Sequence, residues 1–118
     1  MDIQVRRIYD KARQSDGARY LVDRLWPRGI SKEDAKIEDW IKSVAPSDEL
    51  RKKFHDGDLG WANFVRAYEA ELRCDEALEG VETLKTAAAK GTITLLFASK
   101  QTERNNATAL RDYLLKTA

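Results

Sequence analysis

Three stretches of the chain carry the apolar patterning of strands. "IQVRRIY" (residues 3–9) mixes apolar and basic positions without a clean period, as an edge or bulged strand does, and "RYLVDRLW" (19–26) has an apolar centre at Tyr20, Leu21 and Val22. "TITLLFAS" (92–99) is a nearly continuous apolar run, which predicts burial on both faces, the mark of a parallel strand sandwiched by helices. The first two stretches are separated only by "DKARQSDGA", where Ser15-Asp16-Gly17 reads as a turn. A connection this short implies a hairpin or a tight local excursion, not a helical crossover.

Between the second and third strands the period becomes helical. Ile37, Trp40, Ile41 and Val44 fall at i, i+3, i+4 and i+7 and predict a helix capped by Ser31 with Asp34 and stopped at Ala45-Pro46. Ser47 caps a short second helix carrying Leu50 and Phe54, which ends in the turn "HDGDLG". Trp61, Phe64, Val65, Tyr68 and Leu72 mark a third helix, and Leu78, Val81, Leu84 and Ala88 a fourth that closes at Gly91. Thr102 is the expected cap of a last helix through Ala107, Leu110 and Leu114. The prediction is one α/β domain over residues 1–118, a layered sandwich. Its small, mainly parallel sheet has three or four strands covered by four to five helices.

Composition adds limits. At 118 residues, 42% hydrophobic and 35% charged, the chain suits one well-solvated domain that buries about two-thirds of its unfolded surface. The N-terminus "MDIQVRRIYDKARQ" is charged throughout and no apolar run reaches membrane-spanning length, so a cytoplasmic protein without membrane contact is expected. Cys74 is the one cysteine and His55 the one histidine. An internal disulfide is excluded, and no metal and no cofactor are expected.

The net charge of +1 conceals a pattern. Residues 1–32 hold eight Lys/Arg against four Asp/Glu, residues 33–90 nine against fourteen, and residues 91–118 four against two. Basic ends meeting in one sheet would attract an anion.

Ligands of open α/β sheets gather beyond the carboxyl ends of parallel strands, where two loops are expected here: "DRLWPRG" (23–29) and "ASKQTERNN" (98–106). Arg24 and Arg28 can clamp a carboxylate or phosphate, or pair with nearby acids. Asp23 is read as an acceptor that orients these arginines and is held ionised by them. Trp26 can stack on a base, although packing between layers is the commoner use of such a residue, and Pro27 and Gly29 shape the turn. Ser99, Lys100, Asn105 and Asn106, at the start of the last helix, complete the expected ligand-binding set. No catalytic residue is assigned; Asp23 and His55 are the only candidates. Glycine-rich phosphate loops, nucleophile elbows and zinc-protease motifs are all absent. A helix-turn-helix over residues 32–55 can be drawn, but its second helix is short and its surroundings acidic.

The segments "RIYD", "GARYLVDRLWPRGISKEDAKIEDWIKSVAPSDELRKKFHD", "WANFVRAYEAEL" and "GTITLLFASKQTERNNA" together resemble the DUF488 family, in its YeaO-like group, over nearly the whole chain. The resemblance implies a single α/β domain in a bacterial cytoplasmic protein and, by the family's own name, no assigned activity. Where that family commonly shows Asn-His-Ala at the start of the final helix, this chain has Asn105-Asn106-Ala107, so chemistry needing a histidine there is not open to it.

The expected function is therefore a basic pocket for an anionic small molecule, phosphorylated or nucleotide-like. Two alternatives stand beside it: a nucleic-acid-binding or regulatory module contacting phosphates through the basic ends, and a protein-interaction domain presenting Trp40 and Trp61.

Overall fold

A computed structural model describes all 118 residues, Met1–Ala118. Four strands, β1 (Ile3–Arg7), β2 (Ala18–Leu21), β3 (Asp39–Trp40) and β4 (Ile93–Phe97), form one sheet in the order β1-β4-β2-β3, every neighbouring pair parallel. Five helices accompany it: α1 (Lys32–Ala35), α2 (Asp48–His55), α3 (Trp61–Leu72), α4 (Asp75–Lys90) and α5 (Asn106–Lys116). The α/β architecture with a small parallel sheet is as expected.

The strand β4, apolar but for Thr94, lies between β1 and β2 and is buried at every position. Ile93, Leu95 and Phe97 face a core of 21 residues built with α2 to α5, while Leu96 faces a smaller cluster with Ile8, Leu21 and Ala35. Burial on both faces thus has two sources. Helices cover one face, whereas the other is closed by Trp26, Ile30 and Ile37 on irregular segments, by Trp40 of the short edge strand β3 and by the single turn α1.

The first connection is no hairpin. β1 and β2 flank β4 and both run parallel to it, so residues 8–17 return the chain to the start of the sheet. Ten residues reach roughly 33 Å when extended, enough to retrace a strand of about 17 Å without a helix. The return is pinned by Asp16, which is fully buried. Its carboxylate accepts from Arg6 Nη1 of β1 at 2.8 Å, from Arg19 Nη1 of β2 at 2.6 Å and from the backbone N–H of Arg13 at 3.0 Å. Its carbonyl accepts from Thr94 Oγ1 of β4 at 2.7 Å, so one turn touches three strands. Gly17 follows at φ +63° and crosses so close to β4 that a Cβ would lie 2.0 Å from the Thr92 carbonyl oxygen.

The helix expected through Ile37–Val44 does not form. Ser31 does cap a helix, accepting from the Asp34 N–H, but this helix ends after one turn because Lys36 is left-handed at φ 51°. The chain then joins the sheet: Glu38 N–H donates to Arg19 O at 2.6 Å and Ile41 N–H to Leu21 O at 2.9 Å. The spacing misled because the apolar residues serve two faces. Ile37 and Trp40 pack on the small cluster while Ile41 and Val44 enter the main core; the switch falls between Trp40 and Ile41, neighbours that point to opposite faces of an extended chain. With the first helix gone, the helix-turn-helix reading of residues 32–55 falls as well. On α4 the buried face runs through Ala77, Val81, Leu84 and Ala88, leaving Leu78 exposed.

Burial pushes the Asp16 carboxyl up, but the Arg13 N–H and the Arg19 and Arg6 guanidiniums outweigh it and hold the group below its ordinary value of 3.8. A lowered folded-state pKa means that this carboxylate stabilises the fold fully above pH ~4–5 and progressively less as pH falls through the folded value. Asp16→Asn should cost about 3–5 kcal/mol at pH 7, because Arg19 is left buried without its counter-charge. Urea unfolding from pH 7 down to pH 2 should show the variant's deficit shrinking below pH ~4; a loss under ~1 kcal/mol at pH 7 would contradict the pinning role.

Candidate functional site

The parallel strands β2 and β4 end side by side, with Val22 N–H still donating to Leu96 O at 3.1 Å. Beyond them the chain leaves the sheet at Asp23 and at Ala98. These two residues are joined: Asp23 Oδ2 accepts the Ala98 N–H at 2.9 Å. Asp23 Oδ1 accepts Asn106 Nδ2 at 3.0 Å, and the same amide donates to Val22 O at 3.0 Å. The Asp23 carbonyl in turn accepts the Trp40 indole N–H at 2.7 Å. One residue thus ties the exits of β2 and β4 to the first turn of α5 and to β3.

The expected pairing of Asp23 with arginines is not what the structure shows. Neither Arg24 nor Arg28 bonds to it. Burial raises its pKa, outweighing the Asn106 amide, the Ala98 N–H and the charge of Arg51. The carboxyl lies above its ordinary range, where arginine pairing would have placed it below.

Around this clasp opens a cleft of about 860 Å³. Two of its walls are the loops expected from the sequence, with Arg24, Trp26 and Arg28 on one and Ser99, Lys100, Asn105 and Asn106 on the other. The basic N-terminal and C-terminal segments therefore do converge. A third wall, not anticipated, is α2 with its approach, contributing Pro46, Arg51, Phe54 and His55. Five cationic side chains, Arg24, Arg28, Arg51, Lys100 and Arg104, line the cleft against the single carboxylate of Asp23.

The individual side chains divide into those that hold the walls and those left free. Arg24 donates to the carbonyls of Pro46 (3.2 Å) and Ala45 (3.4 Å), binding the first loop to the start of α2. Ser47 caps α2 as expected and is itself held by Glu71 of α3, which accepts from its N–H at 2.8 Å and its hydroxyl at 2.6 Å. Buried Tyr68 also donates its hydroxyl to Val44 O. Trp26 is the packing residue, its indole N–H on Ile30 O at 2.8 Å and its ring edge-on to Trp40. Gly29 has φ +81°, which lets the loop turn.

On the second loop, Asn105 rather than Thr102 caps α5. Its side chain accepts from the Thr108 N–H and donates to Gln101 O, and Thr108 returns the bond to the Asn105 N–H, a reciprocal box that Asn-x-x-Thr can also form. Both ends of the Asn105 amide are thus spent on the loop. Ser99 Oγ likewise accepts the Gln101 N–H. Arg28, Lys100 and Arg104, by contrast, are exposed and their side chains have no hydrogen bond or ion pair within the chain. His55 lies at the end of α2, exposed and unpaired.

Two positioning residues escaped the sequence reading. Arg7 at the end of β1 donates to Ser99 O (2.9 Å) and Ala98 O (3.0 Å), and Tyr9 donates its hydroxyl to Arg28 O at 2.7 Å. Their signal was the clustering of "RRIY" at the close of an edge strand next to the predicted site. Asn106→Ala should remove both donors from Val22 O and Asp23 and cost about 1–3 kcal/mol. Asn106→Asp should cost more, and its deficit should grow from pH 5 to pH 8 as two carboxylates come to face each other; equal losses for the two variants at pH 8 in urea unfolding would contradict the clasp.

Comparison with known proteins identifies the family of the chain. A family model described as "Inactive DUF488-N3 subclade" matches residues 2–118. The chain is 49% identical over 114 residues to the "Uncharacterized protein YeaO" of Escherichia coli, covering 97% of each. It is 35% identical over 112 residues to the "Uncharacterized protein Rv3073c" of Mycobacterium tuberculosis, covering 95% of this chain and 92% of the relative. No solved structure matches the chain significantly. Matched from end to end by the family model and by these relatives, the chain belongs to the DUF488 family, in the subclade described as inactive.

Proposed function

We propose that this domain binds an anionic small molecule of the phosphate class in the cleft between the two strand-end loops and α2, and holds it without transforming it. The observation that carries the reading is the charge lining: five cations face the cleft, three of them with no partner in the chain, and the one carboxylate turns both oxygens to internal donors. Unpartnered cations converging on a concave surface favour an anion by Coulomb attraction and by charge-assisted hydrogen bonds.

Binding without turnover follows from the same inventory. Asn106, beside Asp23, carries no exchangeable charge near neutral pH. His55 lacks a hydrogen-bonded partner to activate a nucleophile, and no serine, cysteine or threonine in the cleft is paired with a base. The subclade's description as inactive accords with this reading. Its compact concave form also favours a small ligand over a nucleic acid backbone, which calls for a continuous basic stripe. Trp40 and Trp61, the residues an interaction surface would present, are instead half-buried and packed on Trp26 and on Phe54 and Phe64.

The test is a thermal-shift titration with inorganic pyrophosphate, repeated on Arg28→Ala, a variant that removes no contact within the fold. At a hundredfold excess over Kd, the wild-type protein should gain about 2.7 kcal/mol, on the order of 10 °C in Tm, and the variant clearly less. No shift in the wild type, or the same shift in both, would overturn the proposal. So would tighter binding of a single-stranded oligonucleotide with a steep salt dependence.

A further inference from the structure

The cleft is far larger than a phosphate group requires. At about 860 Å³ it falls in the range of pockets that take up whole organic ligands, about 300–1,000 Å³. Its lining also changes character from one side to the other. The free cations Arg28, Lys100 and Arg104 belong to the strand-end loops, where Trp26 and Pro27 also line the cleft, whereas the α2 side adds Phe54, Phe64 and the buried Pro46 beside Arg51 and His55.

Phe54 is set as a platform. Its ring lies on Phe64 at 4.5 Å between centroids and 29° between planes, and Trp61 packs against both at 5.7 Å. This three-ring cluster, stacked at Phe54–Phe64 and Trp61–Phe64 and tilted at Phe54–Trp61, holds the Phe54 ring in place. The residue nevertheless remains only partly buried and lines the cavity. A rigid aromatic face beside a cluster of unpaired cations has the two elements that recognise a flat ring carrying a negative group: stacking for the ring and charge-assisted hydrogen bonds for the anion. Arg51 stands beside the platform with a guanidinium that can lie over or along such a ring.

From this division of the lining we infer that the ligand is a phosphorylated molecule bearing a planar heteroaromatic ring, of the nucleoside monophosphate class. The ring lies against Phe54, and the phosphate lies toward Arg28, Lys100 and Arg104. The inference rests on the anion-binding reading above and narrows it: a bare sugar phosphate leaves the aromatic side of the cleft empty, and an uncharged nucleoside leaves the cations unmatched.

Calorimetric titration of the full chain with adenosine 5′-monophosphate, guanosine 5′-monophosphate, ribose 5-phosphate and pyrophosphate separates the two levels of the argument. At least one nucleotide should bind about tenfold or more tighter than ribose 5-phosphate, in keeping with the worth of a base stacked on an aromatic side chain. Phe54→Leu, which keeps apolar bulk on Phe64 but removes the flat face, should bring that nucleotide's affinity down to the level of ribose 5-phosphate while leaving ribose 5-phosphate itself unchanged. Circular dichroism confirms that the variant is folded. Arg28→Ala should weaken nucleotide and sugar phosphate by the same factor. Equal affinity of wild type for both nucleotides and ribose 5-phosphate would overturn the ring inference while the anion site stands, as would a Phe54→Leu variant that loses both alike. Failure of all four ligands, pyrophosphate included, would overturn the anion site and the ring inference with it.

Discussion

The exits of two neighbouring parallel strands are held together by one carboxylate. Asp23 takes the Ala98 N–H on one oxygen and the Asn106 amide on the other, and its carbonyl takes the Trp40 indole. Parallel strands end with backbone groups that no ladder partner can satisfy, and a loop that leaves such an end must find other partners for them. Here a single side chain supplies these partners for the β4 exit and fixes the α5 start in the same stroke. The cleft exists because the loops that bound it diverge from this point while their roots cannot separate. Arg7 and Tyr9 extend the arrangement from β1, and Arg24 carries it across to α2.

A second aspartate, this one fully buried, does comparable work at the opposite end of the sheet, with opposite electrostatics. Asp16 is surrounded by two guanidiniums and a backbone donor and is held well ionised, so its role is to complete a polar plug among three strands. Asp23 has neutral donors and is pushed toward its protonated form by burial. The arginines of "DRLWPRG" are consequently free of Asp23. Arg24 is used for construction, and Arg28 is left to solvent and to whatever enters the cleft. Separation of the structural acids from the cations of the site is what gives the cleft its positive character.

Much of this was legible in the sequence, for identifiable reasons. The apolar run of β4 and the length of the passage from β2 to β4 sufficed for a parallel pair, and the parallel pair located the end of the sheet at which the cleft opens. The long helices α3 and α4 and the cap at Ser47 were readable because local periodicity and capping act within a few residues. What escaped depends on contacts distant in sequence. The Ile37–Val44 spacing fits a helix equally well until β2 offers an open edge, and the hydrogen bonds to Arg19 and Leu21 then decide the outcome. The short link from β1 fits a hairpin or a tight local excursion equally, because nothing near it reveals that β4, which begins at Ile93, occupies the space between. Asp23 was assigned to its sequence neighbours, whereas its partners Ala98 and Asn106 lie 75 and 83 positions away. The wall built by α2, with Phe54 and Arg51, was missed for the same reason.

The state of the Asp23 carboxyl distinguishes a clasp of neutral donors from an organiser of arginines. A carbon-13 NMR titration that follows the side-chain carboxyl of Asp23, with the Ala98 amide proton as a reporter of the hydrogen bond, measures it directly. The clasp predicts a pKa above the ordinary 3.8, with the Ala98 amide shifting in step with the same midpoint. A midpoint below 3.8, or an Ala98 amide indifferent to the titration, would contradict it.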